Sequence, residues 1–332
     1  MRNFFKRLKT PFACLVLACI VTVSFVFAYP SLNAQSLHEA PYQTGILRLW
    51  HIDSFEGGTG SRANFLSSAA KEFEEKYGWY VLVSVHTKES AERAISEGNL
   101  PDMISFGTYF NAAADHVLPL DKYNFEAASL NGKTYAVPWC RGSYFLFGQE
   151  GSFSEATDKN TVISQGGGAL AQGAAYFYGF SGEIGCESSV HAYVDLINGK
   201  YKFMIGTQRD VYRFRTRNFN IDAMPVSSFN DLWQYIGVCA SEPAVYAACQ
   251  DFVSHLLSES TQKKLTRIGM FSAYFDIYGP SDGIMDKAEG IQPQHTVSAW
   301  LAEDAQNTLR SLASQALCGD KNGGKNFENF LQ

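Results

Sequence analysis

Two carboxylates and a glycine run stand within eight positions of one another near the start of the chain: Asp53, Glu56 and Gly57-Gly58-Thr59-Gly60. Carboxylates accept hydrogen bonds from hydroxyls or balance a cation, and consecutive glycines let backbone amides approach a ligand closely. Ser61, directly after them, suits a helix N-cap, and a helix N-terminus favours anions and polar oxygens. The same glycines serve equally well as a bare strand-to-helix turn. Gly58-Thr59-Gly60-Ser61-Arg62-Ala63 also fits the GxGxxA pattern of dinucleotide-binding folds. However, Ser54-Phe55-Glu56-Gly57 makes the lead-in longer than that tight turn requires. No acidic residue ends the second strand about 20 residues on, and Glu89 comes too late. The phosphate loop GxxxxGK[ST], the GxSxG elbow and HExxH are absent. The seven histidines are scattered, none with a ligand partner at i+4. No catalytic residue, metal or cofactor is therefore expected.

Aromatic side chains are the other chemical signal, at 14% of the chain, with Trp50, Trp139, Tyr144, Tyr212 and Trp233 among them. Their faces stack on the C–H faces of sugars while neighbouring polar groups fix orientation. Most of the 25 Phe are expected in the core. Trp139, beside Cys140-Arg141-Gly142, suits a site or a packing role equally.

The elements that must position these residues alternate. Ile46–Ile52 reads as a strand, and Ser61 opens a helix with Phe65, Ala69, Phe73 and Tyr77 on one face, stopped by Gly78. Tyr80–Val85 is a β-branched strand, Glu89–Glu97 a short helix, and Pro101–Gly107 a third strand. This order implies a parallel α/β sheet whose carboxyl edge gathers Trp50, Asp53, Ser105 and Phe106. Pro138 separates two apolar runs, at 135–139 and 143–147, into two strands or one strand broken at a sheet edge. Residues 150–183 are rich in Gly, Ala and Ser and carry no clear period. A helix is expected over 188–197, a strand over 202–206, and amphipathic helices over 245–257 and 297–316. The tail at 319–332 reads as loose.

The N-terminal segment points to export. Four bases in the first nine residues precede an apolar run from Pro11 to Ala28. A cleaved signal and a retained anchor fit equally, since about 18 apolar residues just span a bilayer. A lipobox at Val16-Leu17-Ala18-Cys19 fits less well, because the apolar run continues past Cys19. Basic flanks stay cytoplasmic, so the chain from about residue 35 is expected outside. Of the 27 basic residues 23 remain there against 33 acidic ones. That balance, with no basic stripe, excludes a nucleic-acid-binding role. The five cysteines beyond Cys19 form no CxxC pair and read as free thiols, with one disulfide open.

Several segments resemble extracellular solute-binding proteins of the sugar-binding type, which serve ABC importers. They are Leu49–Arg62 (LWHIDSFEGGTGSR), the helix with Lys71–Tyr77, Pro101–Gly107, Tyr135–Trp139, Ile205–Val211 and Gly269-Met270-Phe271. The resemblance implies an α/β fold of the periplasmic-binding-protein type (type II), two lobes on a hinge with a ligand cleft between them. Lobe one would comprise 46–138 and 242–285, and lobe two 139–241 and 286–318, after a signal or anchor (1–35) and a tether (36–45). It implies a ligand set of Trp50, Asp53, Glu56, Ser105, Phe106, Trp139, Arg141, Gln208, Arg209 and Tyr212. The expected function is capture of a small polar solute, a sugar or oligosaccharide, by a monomer that delivers it to an ABC permease. A ligand sensor feeding a membrane signalling protein and an exported enzyme on the same fold are the alternatives. Asp53 and Glu56 beside the cleft fit a polyol or a cation better than an anion.

Overall fold

Strand β1 (Ile46–Ile52) buries Leu47 and Leu49 on one side and is fully covered at its end. It pairs in parallel with β2 (Tyr80–His86) and β3 (Met103–Gly107). Helix α1 (Arg62–Tyr77) connects β1 to β2; Ser61 Oγ accepts its first-turn Asn64 N–H at 3.2 Å. Gly78, at φ 75°, ends it in the left-handed conformation that glycine adopts without strain. Phe65, Leu66, Ala69, Ala70 and Phe73 form its buried face. Helix α2 (Lys88–Ser96) leads from β2 to β3. This computed structural model describes residues 45–166 and 169–331. The expected signal or anchor, nearly all of the tether, and Gly167-Gly168 lie outside the described residues.

The chain then passes between two sheets. Strand β4 (Ala136–Arg141) belongs to the first, and β5 (Tyr144–Gly148) to the second. The two apolar runs flanking Pro138 and Arg141-Gly142 are thus separate strands, and Pro138 lies in the outermost strand, at a register shift opposite Gln234 and Tyr235. The second sheet adds β6 (Thr161–Gln165), β7 (Gly185–Ser188), β8 (Phe203–Thr207) and β9 (Asp222–Pro225). Its helices are α3 (Ala171–Tyr178), α4 (Ser189–Ile197) and α5 (Gln208–Thr216). Its order is β9-β5-β8-β6-β7, with β6, β7 and β8 mutually parallel. Strand β10 (Trp233–Val238) returns to the first sheet, whose order is β2-β1-β3-β10-β4, and runs antiparallel to both neighbours. Helix α6 (Pro243–Leu256) packs on α1 and β10. Helix α7 (Gly283–Glu289) packs on β9, and α8 (Glu303–Leu317) on α3. The last helix, α9 (Lys321–Phe330), packs on α8.

Three expectations need correction. Residues 233–238, assigned above to the second lobe, form an inner strand of the first sheet. The tail at 319–332 is not loose, because α9 sits on α8. Finally, the helix expected over 297–316 starts only at Glu303. Val297 and Trp300 continue its apolar period because both are buried, but Trp300 packs on Phe106 in the first sheet's core, 5.4 Å between ring centroids. Among the described residues no helix is long and apolar enough to cross a membrane.

Candidate functional site

Parallel sheets hold ligands beyond the carboxyl ends of their strands. In the first sheet that edge carries Asp53 and the 54–61 loop after β1. In the second it carries Gly166 after β6, Ser189 after β7 and Arg209 after β8. The two edges meet. Glu56, from the first, forms an ion pair with Arg209 and accepts from Ser189 Oγ at 3.3 Å. Asp53, Glu56, Gly58, Arg62 and Arg209 line a cavity of about 290 Å³ at this junction. A second, of about 380 Å³, lies alongside and is lined by Thr59, Arg209, Tyr212, Arg213 and Arg217.

Of the ten residues expected to hold ligand, the structure brings Asp53, Glu56, Arg209 and Tyr212 to these cavities. Trp50 is half-buried, its ring 4.4 Å from that of His86 on the neighbouring strand. The other five are buried with partners inside the protein, which corrects their assignment to the cleft in this conformation. Phe106 stacks among Phe110, Tyr235 and Trp300. Trp139 lies flat on Phe65 at 5.4 Å. The Arg141 guanidinium donates to Glu289 O at 2.7 Å and Ser272 O at 3.3 Å, and burial draws its pKa down to about 10. Gln208 Oε1 accepts from Ser143 N at 3.0 Å and its Nε2 contacts Met270 Sδ at 3.4 Å.

Ser105 sits at one end of a chain of bonds, Ser105–His51–Asp53. Its Oγ receives N–H groups from Trp139 Nε1 at 3.0 Å and Gln234 Nε2 at 3.1 Å. With both lone pairs engaged, its hydroxyl proton points to His51 Nδ1 at 3.1 Å. His51 therefore carries its proton on Nε2 and donates to Asp53 Oδ1 at 3.0 Å. Ser105 and His51 are fully buried while the Asp53 side chain is 55% exposed. A nucleophilic triad needs the reverse, a serine open to substrate. Asp53 also accepts from Arg62 Nε at 2.8 Å. Burial alone would raise the Asp53 pKa, but the His51 bond and the Arg62 charge overrule it and hold it at about 2. Burial likewise lowers the His51 pKa against the pull of Asp53.

The amides of Gly58, Thr59 and Gly60 turn to another loop of the chain. Thr59 N donates to Ile268 O at 2.9 Å, and Gly58 N meets Met270 Sδ at 3.3 Å. A β-carbon on Gly58 would stand 2.1 Å from Ile268 O, so the glycines admit another loop of the same chain.

Comparison with solved structures finds the same fold over most of the chain. The GacH receptor of Streptomyces glaucescens, known unliganded and with acarbose, superposes with a TM-score of 0.56 at 15% identity. The match covers 87% of this chain and 99% of that one. The maltose–maltodextrin-binding protein of Alicyclobacillus acidocaldarius gives 0.56 at 15% over 87% and 100% of the chains. The chain has the maltose-binding-protein fold. An ABC substrate-binding protein of Listeria monocytogenes, solved with cycloalternan, shares this maltose-binding-protein fold with a TM-score of 0.53, 14% identity and 87% and 97% coverage. No family model and no curated protein sequence matches the chain.

Sequence reasoning missed Arg62, Ser189, Arg213 and Arg217 at the cleft. One signal was available: Arg209, Arg213 and Arg217 recur every fourth residue, the spacing of one helical face.

Proposed function

We propose that this protein is an extracytoplasmic solute-binding protein that captures a saccharide between its lobes and delivers it, as a monomer, to an ABC permease. One observation carries the reading: the carboxyl edges of two α/β sheets meet at Glu56 and Arg209, the position at which such sheets bind ligands. The saccharide class is supported by the acarbose, maltodextrin and cycloalternan ligands of proteins with this fold. An extracytoplasmic location is supported by the basic and apolar N-terminal composition. Capture rather than turnover is supported by the burial of Ser105 and His51.

A thermal-shift screen of the full chain, in a detergent without a sugar headgroup, against neutral and acidic oligosaccharides tests the reading. A ligand at 100 times its Kd stabilises the folded state by about 2.7 kcal/mol, a rise of several degrees in Tm. A dose-dependent shift with no change in the sugar is the expected result. A flat screen on folded protein, or consumption of the sugar, overturns it.

A further inference from the structure

The second lobe holds a carboxylate at the place where a ligand would bind, and that carboxylate belongs to the first lobe. Glu56 reaches across the cleft to the Arg209 guanidinium and the Ser189 hydroxyl. Its Cγ lies 3.5 Å from where a β-carbon on Gly166 would stand. Gly166, Ser189 and Arg209 each follow the carboxyl end of one of the three parallel strands β6, β7 and β8. Two donors of this kind suit the two oxygens of one carboxylate.

The surrounding charge favours an anion once Glu56 withdraws. Arg213 lines the adjoining groove and is shared between Asp210 Oδ1 at 3.0 Å and Ser189 O at 3.1 Å. Arg217 lies over the Tyr193 ring at 4.9 Å and pairs with no carboxylate among the described residues. Asp210 is the acid on this face; it also accepts from Thr207 N at 3.1 Å, so its charge is already engaged. From the first lobe, Arg62 lines the same cavity as Glu56, and its buried Nη1 has no partner. Asp53, the remaining acid there, is engaged by His51 and Arg62.

We propose that Arg209, Ser189 and Gly166 form an anion subsite, that Glu56 is its intramolecular occupant, and that the captured ligand is an acidic saccharide whose carboxylate displaces Glu56. This rests on solute capture in the cleft and deepens it by naming the ligand class. It also reverses the expectation that Asp53 and Glu56 select a polyol or cation, because each acid is answered by an arginine.

The test is isothermal titration of the full chain with hexuronate trisaccharides and with the corresponding neutral hexose trisaccharides. Uronates are expected to bind about tenfold more tightly than their neutral counterparts, with affinity falling as salt rises. Glu56→Gln removes the competing carboxylate and should tighten uronate binding severalfold, and by a larger factor than it changes neutral-sugar binding. Arg209→Gln should weaken uronates about tenfold and neutral sugars far less. Arg217→Gln, at a more remote position, should weaken uronates by a smaller factor. Neutral sugars bound as tightly as uronates, with Arg209→Gln acting equally on both, would overturn the acidic class and leave capture standing. Uronate binding that Glu56→Gln weakens would overturn the displacement. Failure of both sugar series on folded wild-type protein would overturn this inference and the capture reading together.

Discussion

At the scale of single residues, Ser105, His51 and Asp53 show how one arrangement can look catalytic and act structurally. His51 has room for one proton only. Ser105 already receives two N–H groups, so a second imidazole proton at Nδ1 would find no acceptor. Both His51 and Asp53 titrate below their ordinary values in the folded protein, so both bind fewer protons folded than unfolded. Stability must therefore fall as pH falls: for His51 below the ordinary histidine pKa of about 6.5, and for Asp53 from about 3.8 down toward 2. His51→Gln should lower Tm at pH 7.5, by about 1–3 kcal/mol of stability. It should also flatten the decline in Tm between pH 7 and pH 5. Burial lowers His86 and His255 as well, so part of that slope persists in the variant. Identical slopes in the two proteins, measured by scanning calorimetry, would remove His51 from this account.

At the scale of elements, the first half of lobe one was legible because its signals are local. Ser61, the Phe65-Ala69-Phe73-Tyr77 face and Gly78 mark α1 to the residue. The return of β10 to the first sheet was not legible, since pairing Val238 with Met103 is a contact across more than a hundred residues that leaves no periodic trace. Helix α9 was misread for another reason. Gly323 and Gly324 weaken a helix by propensity, yet a β-carbon at either would stand 2.7 Å from Gln315 or Tyr176, so their smallness is what lets α9 dock. At the site, the loop residues Asp53 and Glu56 were legible from type and spacing, but the burial of Trp139 and Arg141 was not, because tertiary packing decides it. The turn at 57–60 obeys the same logic and gives a paired prediction. Gly58→Ala puts a methyl group against the Ile268 and Gly269 carbonyls and should destabilise by about 1–3 kcal/mol. Gly57→Ala finds its nearest atom at 3.5 Å, an ordinary contact, and should be close to neutral. Equal Tm values for the two variants would show that the 268–270 loop does not press on the glycine run.

At the scale of the whole molecule, the two lobes share a buried carboxylate. Asp231 accepts from Tyr109 Oη, beyond β3 in the first lobe, at 2.7 Å. From the second lobe it accepts from Tyr144 Oη on β5 and from Leu170 N ahead of α3, each at 2.7 Å. Thr108 Oγ1 adds a bond to the Asp231 carbonyl at 2.6 Å. Burial pushes the Asp231 carboxyl up, and the donors pull it back by holding the charged form. The Glu56 and Arg209 side chains are each about a third exposed, whereas this junction is buried and sets three donors on one carboxylate. Asp231→Ala strands two tyrosine hydroxyls and an amide, and should cost about 3 kcal/mol or more. Asp231→Asn should cost nearly as much, because its NH₂ faces donors. The decisive measurement is a double-mutant cycle. Tyr109→Phe alone should destabilise, because it takes one donor from a buried carboxylate. In the Asp231→Ala background the same change removes a stranded hydroxyl and should be neutral or stabilising. If Tyr109→Phe instead cost the same in both backgrounds, Asp231 would not be the group that Tyr109 serves, and this bond would not be one that ties the lobes together.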